Sequence, residues 1–370
     1  MIDPRTPRPP QIDRSTFLRT SAGALLGSGL LLGTGSPAGA DEASSRQALE
    51  VTKIGDLTGP GLTTRFRMEA TDLGIPVRTP DGRMLFVFGD SFEGATVGGG
   101  WWRSPTALYS TTTDLDAGVQ WSGAVGGEAA EQLWHYDHDN PVFTTVLPSD
   151  VITIGDTMYL HAMVNNGLGN VVWTEIWRSD DSGATWTHTD AHFDAHLHDG
   201  LFQLLTWAEG DDGYVYVYST SFDRSRPIIM HRVPTAAIAD PAAYEPWGYR
   251  EGVWGWGNPP TPILDGAFGE MCLRPMAGKW VLTWFDAGGY RIDGIIMDTP
   301  TSNLHTAHRR TLVHGGTWGH EDDSHVAQLY GGYIIPGSTP DELHLSVSQW
   351  NTDHGWPYKV MQHRIRGFGA

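Results

Sequence analysis

The chain has 370 residues, with 46 Gly, 16 Trp and 12 Tyr, 18% charged residues and a formal net charge of -19. That acidity argues against nucleic acid and anionic membrane surfaces as partners, and the Gly- and Trp-rich, charge-poor composition points to sheets with many tight turns rather than helices. The single cysteine, Cys272, rules out an internal disulfide and a Cys-based zinc site and reads as buried core in a strand-like run.

The first 40 residues read as an export segment. Arg5, Arg8, Arg14 and Arg19 precede an apolar run from Ala22 to Leu32, and Ala38-Gly39-Ala40 offers small residues for cleavage. RSTFLR (14–19) resembles a twin-arginine signal with Ser15 where the second Arg should stand, so the Tat and Sec routes both stay open. Eleven apolar or small residues are too few to span a bilayer. The expectation is a secreted or cell-envelope protein with no integral membrane span after signal removal. Losing 4 basic and 2 acidic residues leaves 20 against 41, a net charge of -21. No linker follows residue 45, so residues 46–370 read as one domain.

Thr71 to Phe92, TDLGIPVRTPDGRMLFVFGDSF, predicts a β-hairpin. The first strand runs from Leu73 to Thr79, Thr79-Pro80-Asp81-Gly82 makes the turn, and Met84 to Phe88 returns. Antiparallel pairing then sets Asp72 beside Asp90. Two carboxylates on one rim are the minimum equipment for acid/base work on an acetal, although Asp also caps strand ends for purely structural reasons.

The return strand has four relatives. Turn residues Gly82, Asp156, Gly213, Lys279 and Asp341 each precede a run of β formers, at spacings of 74, 57, 66 and 62. A period near 65 residues, repeated five times, predicts an all-β chain folded as a five-bladed β-propeller of four-stranded sheets. SDDSGATW (179–186) matches the Asp-box pattern, a folding device whose Trp packs between blades. The one helix expected is short, near Thr235–Ala239. Tyr358 to Ile365 is expected to pair with a strand around Leu49–Ile54 and close the ring.

In a propeller, residues that open the first strand and close the second of every blade gather around one funnel. The first two blades contribute Asp72, Asp90, Asp150 and Asn165; the third contributes Asp199, Gln203 and Ser221. The last two contribute Glu270, Asp286, Asp322, Asp323, His325 and Asn351. Crowded carboxylates shift each other's pKa values apart, which separates an acid from a base. The same rim is also a candidate holder for a structural Ca2+, although no cofactor is required. HEDDSH (320–325) matches neither zinc-protease spacing, so no catalytic metal is expected. Tryptophans in the Gly-rich loops GGGWWRS (98–104), with Trp101, Trp102 and Arg103, and EGVWGWGNPP (251–260) are candidates for sugar stacking and hydroxyl contacts.

These motifs, together with WWRSPTALYS, LHAMVNNGLGNVVWTEIWRSDDSGATW, GKWVLTWFDAGGYRID, EDDSHVAQLYGGYIIPGS and SQWNTDHGWPYKVMQ, resemble glycoside hydrolase family 183, formerly domain of unknown function 4185. The resemblance spans about residues 50–368. It implies a five-bladed propeller that cleaves internal α-1,5 links between D-arabinofuranosyl units of mycobacterial-type arabinogalactan and lipoarabinomannan. It also implies that the catalytic pair is the aspartates of TDLG and FGDSF, here Asp72 and Asp90. The assignment placed first has Asp90 as acid and Asp72 as base; the reverse stays open. Asp150, Asn165, Glu270, Asp286, Asp323 and His325 remain candidates for substrate hydroxyls or pKa tuning. The partner expected is an arabinan polysaccharide bound by a monomer. A non-catalytic arabinan-binding propeller is the alternative, distinguished by whether the Asp pair acts. A sialidase-like reading lacks an arginine triad.

Overall fold

The computed structural model describes residues 48–369. The expected export segment, residues 1–40, lies outside them, as do the terminal residues of the 46–370 domain. Strand β1 (Glu50–Asp56) comes first. Blade one follows with β2 (Ala70–Arg78), β3 (Met84–Phe92), the short β4 (Trp102–Arg103), β5 (Thr106–Ser110) and β6 (Trp121–Ala124). Blade two holds β7 (Thr145–Ile154), β8 (Thr157–Asn165), β9 (Val171–Ser179) and β10 (Thr187–Asp194). Blade three holds β11 (Leu204–Glu209), β12 (Tyr214–Thr220), β13 (Ile229–Pro234), β14 (Glu245–Arg250) and β15 (Val253–Trp256). Blade four holds β16 (Phe268–Met276), β17 (Lys279–Asp286), β18 (Arg291–Met297), β19 (Arg309–Gly316) and β20 (His325–Ala327). Blade five holds β21 (Leu329–Ile334), β22 (Glu342–Trp350) and β23 (Tyr358–Arg366).

The five sheets form the expected five-bladed propeller, with β2, β7, β11, β16 and β21 packed around the axis. Three sheets carry a fifth strand beyond the expected four. Ring closure follows the sequence reading: β1 pairs antiparallel with β23, Val51 opposite Ile365 and Glu50 opposite Arg366. The expected helix is a single 3-10 turn, Thr235–Ala237. Among the described residues no helix is long and apolar enough to cross a membrane.

The Asp box ties blade one to blade two. Ser179 Oγ and Asp181 hold the turn amides of Gly183 and Thr185, and the Trp186 ring is buried. A Cβ at Gly183 would meet Leu85 Cδ2 of blade one at 2.6 Å, and Tyr109 OH donates to Ser182 O at 3.1 Å. Cys272 is buried, accepts the Ile334 amide at 3.3 Å, and has its thiol pushed up to about 11 by burial.

Three histidines are built into this core, His161 and His363 with neither ring nitrogen hydrogen-bonded and His231 with its Nε2 3.0 Å from His198 Nε2. His161 lies between Phe193 and Trp207, with centroids 6.3 and 6.1 Å away. His231 packs on Phe202, and His363 faces the interior of β23. Burial pushes all three down to about 3, so they fold as neutral rings. An unfolded imidazole titrates near 6.5. Between that value and about 3 the unfolded chain therefore holds protons that the folded chain does not. The stability from neutral burial is full above pH 6.5 and is lost as the pH falls toward 3. Three such groups steepen the loss to as much as about 4 kcal/mol per pH unit. Denaturant melts at pH 7, 6 and 5 are expected to show it, and His161→Phe is expected to lessen the slope by about a third. A stability that stays level over this range would exclude the buried rings as its cause.

Candidate active site

Asp72 enters the axial cleft through an irregularity in its hairpin. Thr71 pairs with Ser91 and Leu73 with Phe88, so Asp72 alone opposes Gly89 and Asp90. This is a β-bulge, a device that re-aims a side chain. Leu73 pays the local cost with φ at 66°, a left-handed value unusual for a γ-branched residue. The backbone groups that the bulge removes from the ladder find side chains of blade five. Leu73 N donates to Ser348 Oγ at 2.8 Å, and Ser346 Oγ donates to Gly74 O at 2.7 Å. A Cβ at position 89 would lie 2.5 Å from Asp72 Oδ1, so Gly89 is what lets the carboxylate lie against the strand. Tyr330 OH donates to Asp72 Oδ2 at 2.9 Å. Burial, followed by the Asp72 charge, raises the Tyr330 phenol well above its ordinary range, which keeps it a donor.

Asp90 is almost fully buried on β3. Its Oδ1 accepts from Trp102 Nε1 at 2.7 Å and from Thr145 Oγ1 of blade two at 3.2 Å. The Trp102 indole is fixed by stacking on His138, 3.7 Å between centroids, with Tyr136 edge-on to the same imidazole at 5.0 Å. The cleft, about 550 Å3 including its open mouth, has two halves. Asp72, Asp90, Glu270, Arg224 and Tyr330 make the polar half; Leu147, Met163, Leu204, Phe222, Trp350 and Tyr358 supply apolar walls. The buried Arg224 guanidinium pairs with Glu270 and lies 5.1 Å from the centroid of the Tyr330 ring. Burial alone would lower its pKa, but the Glu270 carboxylate outweighs that and raises it.

The remaining predicted residues divide by location. Glu270 lines the cleft, and Trp102 reaches it only through its hydrogen bond to Asp90. Asn165 is buried at the end of β8, opposite Thr145, with Nδ2 on Met163 O. Asp150 is a correction: blade two begins its inner strand at Thr145, so Asp150 sits midway along β7 rather than at the rim. There it is fully buried, paired with Arg274 at 2.8 Å and bonded to Thr206 Oγ1 and Trp207 N. Arg103 is also corrected. Its guanidinium is buried, points inward to the Ala130 and Arg67 carbonyls and does not line the cleft, and burial pushes it down to about 10. Trp101 lies over that guanidinium, 4.1 Å away, on the exposed rim. Asp286 closes β17 but is spent on Arg291 and Arg309, which it shares with Asp293. Asp323 is exposed on the β19–β20 loop, and His325 is exposed beside Asp322, outside the cleft.

Of the rim carboxylates offered as Ca2+ ligands, Asp150, Glu270 and Asp286 are each paired with guanidinium groups. Asp116, Glu342 and His344 bring ligand atoms within 4.8 Å of one another, but Arg364 and Arg366 bond to Asp116 within the same cluster. Sequence reasoning missed Tyr330, Arg224, Phe222 and Thr145. Tyr330 and Thr145 were findable, since each stands at or next to the opening of an inner strand. Arg224 lies beyond the end of β12 in a loop, where strand periodicity is silent.

The family model described as Domain of unknown function (DUF4185) matches residues 58–364. An uncharacterized 35.9 kDa protein of Mycolicibacterium smegmatis is 30% identical over 333 residues, 85% of this chain and 97% of that protein. Among solved structures, a candidate hydrolase from Bacteroides ovatus has a TM-score of 0.61 at 16% identity, covering 87% of this chain and 92% of the other. A GH43_1 enzyme from Xanthomonas citri has 0.51 at 11% identity, with 85% and 90% covered. At these identities the structural likeness speaks for the propeller fold.

The axial pair below the cleft gives a stability prediction. Arg274→Met removes the guanidinium and leaves Asp150 buried beside three fixed donors, Val151 N, Thr206 Oγ1 and Trp207 N, but without its countercharge. A cost of about 3–5 kcal/mol is expected in denaturant unfolding. Asp150→Asn combined with Arg274→Met is expected to recover part of it; a single variant as stable as the parent would show that the pair does not hold the axis.

Proposed function

This chain belongs to the family of domain of unknown function 4185, the endo-D-arabinanase family its motifs resemble, and from that premise we infer a secreted glycoside hydrolase that cuts internal α-1,5-D-arabinofuranosyl links. The observation that carries the reading is the pair of carboxylates, Asp72 and Asp90, on one hairpin in one cleft, the first brought there by a strained bulge. A binding module has no use for such strain, whereas a general acid and its partner must be held to within fractions of an ångström. One carboxyl gives its proton to the leaving oxygen as the anomeric C–O bond breaks. The other, as carboxylate, attacks the anomeric carbon or takes a proton from the incoming water. Tyr330 orients Asp72, and Trp102 with Thr145 orients Asp90. Glu270 and Arg224 stand ready for sugar hydroxyls, and the apolar walls suit the C–H faces of furanose rings.

The reading requires no cofactor. The basic and apolar pattern of residues 1–40 supports export, and a net charge of -19 suits an uncharged polysaccharide better than a phosphate-rich polymer.

The test is incubation of the mature chain with mycobacterial arabinogalactan, followed by analysis of released oligosaccharides. Wild type is expected to release short arabino-oligosaccharides, and Asp72→Asn and Asp90→Asn to lose roughly a thousandfold or more of the rate. Gly89→Ala, which keeps both carboxylates but pushes Asp72 aside, is expected to lose roughly a hundredfold. Binding without products from wild type would favour an arabinan-binding propeller instead.

A further inference from the structure

The β14–β15 hairpin is an addition on the outer edge of blade three. Its register pairs Trp247 with Trp256 and Tyr249 with Trp254. Residues two apart on a strand share a face, so four aromatic side chains line one side of the ribbon. They follow one another as Trp256, Trp247, Trp254 and Tyr249, with centroids 4.8, 6.1 and 5.6 Å apart. The reverse side is closed by the chain that follows. A Cβ at Gly248 would lie 1.8 Å from Pro259 O, and Tyr249 N donates to Thr261 Oγ1 at 2.9 Å. The inner end of the row is anchored, with Trp256 on Tyr216 at 6.0 Å and Arg232 at 4.3 Å over its ring. The outer end is bare: Tyr249 is 52% exposed and Trp254 44%.

Cross-strand ring contact alone would account for a tight, self-covering zipper. It does not account for a row whose outer rings are left half in water. The sequence offered Trp254 and Trp256 as sugar-stacking candidates, and neither of them lines the cleft. The ridge nevertheless belongs to the same face. Met230 pairs with Trp247, which sends the hairpin tip past the end of β13 nearest the cleft. The loop carrying Phe222 and Arg224 continues to Ile228, which exchanges backbone bonds with Leu264 and Ile263 just beyond the segment that backs the ribbon.

The charges around the ridge cancel locally. Arg232 pairs with Glu245 at 2.7 Å and Arg250 with Glu251 at 3.5 Å. A row of flat aromatic faces without net charge, on a chain of -19, selects a partner that is itself uncharged and presents C–H edges to π-faces. We propose that the Trp247–Tyr249–Trp254–Trp256 ridge is a second binding surface for a neutral polysaccharide chain, separate from the cleft. This rests on the polysaccharide reading of the cleft and extends it to a two-site engagement of the same polymer, in which linked sites raise the effective concentration of substrate at the cleft.

The experiment uses the Asp90→Asn chain, so that no polymer is consumed. It is sedimented with insoluble mycobacterial arabinogalactan and, in parallel, with cellulose. Adding Tyr249→Ala and Trp254→Ala is expected to reduce binding to arabinogalactan by roughly tenfold or more, and Trp254→Phe to retain most of it. Thermal unfolding midpoints are expected to match the parent's, since these substitutions are exposed. Binding of the parent to cellulose alone, lost on removing the two rings, would support the ridge and overturn the arabinan reading. Equal binding with and without the rings, or no binding of the parent to either polymer, would overturn the ridge.

Discussion

The structure depends on one antiparallel ladder. β1 pairs with β23 over most of their lengths, so the start of the described chain lies within the sheet that ends it. A chain with one cysteine has no disulfide to hold its ends. Without the ladder, β23 would be an open edge, free to recruit a strand from another molecule. The junction also carries polar clips: Lys359 on Asp56 at 2.7 Å, and Arg364 on Asp116 at 2.9 Å. Those surface pairs are individually weak. The ladder, with Ile365 buried beneath it, supplies the cooperativity.

Much of this architecture was legible because propeller blades repeat the same local solution. Turn residues before runs of β formers appear five times, and each of those runs is the second strand of a blade. Pairing of Asp72 with Asp90 was legible too, though for an incomplete reason. Simple antiparallel register sets the two residues near each other. The bulge that turns Asp72 into the cleft depends on Leu73 adopting a positive φ, and nothing about a leucine advertises that. The glycine at 89 was the available signal, since a strand otherwise composed of large buried residues has little reason to carry one.

The errors share a physical origin. Asp150 was read as the residue that opens the inner strand of blade two, but β7 starts five residues earlier, at Thr145. Arg103 was judged by its neighbours in a Gly-rich loop. Whether a guanidinium faces a sugar or a pair of carbonyls is decided by residues far away in sequence, here Ala130 and Arg67. Aromatic loops likewise separate into different roles only in three dimensions. Trp102 is a hydrogen-bond donor to Asp90, Trp101 covers an arginine, and Trp254 stands on an outer ribbon.

Ring closure and the candidate active site are one mechanical problem. Blade five is the blade that β1 completes, and it supplies Ser346 and Ser348 to the displaced backbone of the Asp72 bulge and Tyr330 to the carboxylate itself. Blade two supplies Thr145 to Asp90. The hairpin that carries both carboxylates is therefore held from each side by a neighbouring blade. A left-handed leucine persists only where its surroundings over-determine it. Here the determinants come from β22, whose place is set by β23 and in turn by β1. Loosening the closing ladder would let the bulge relax toward regular pairing and draw Asp72 back into the strand. The geometry of the cleft is in this sense a property of the closed ring, not of the hairpin whose sequence first reveals it.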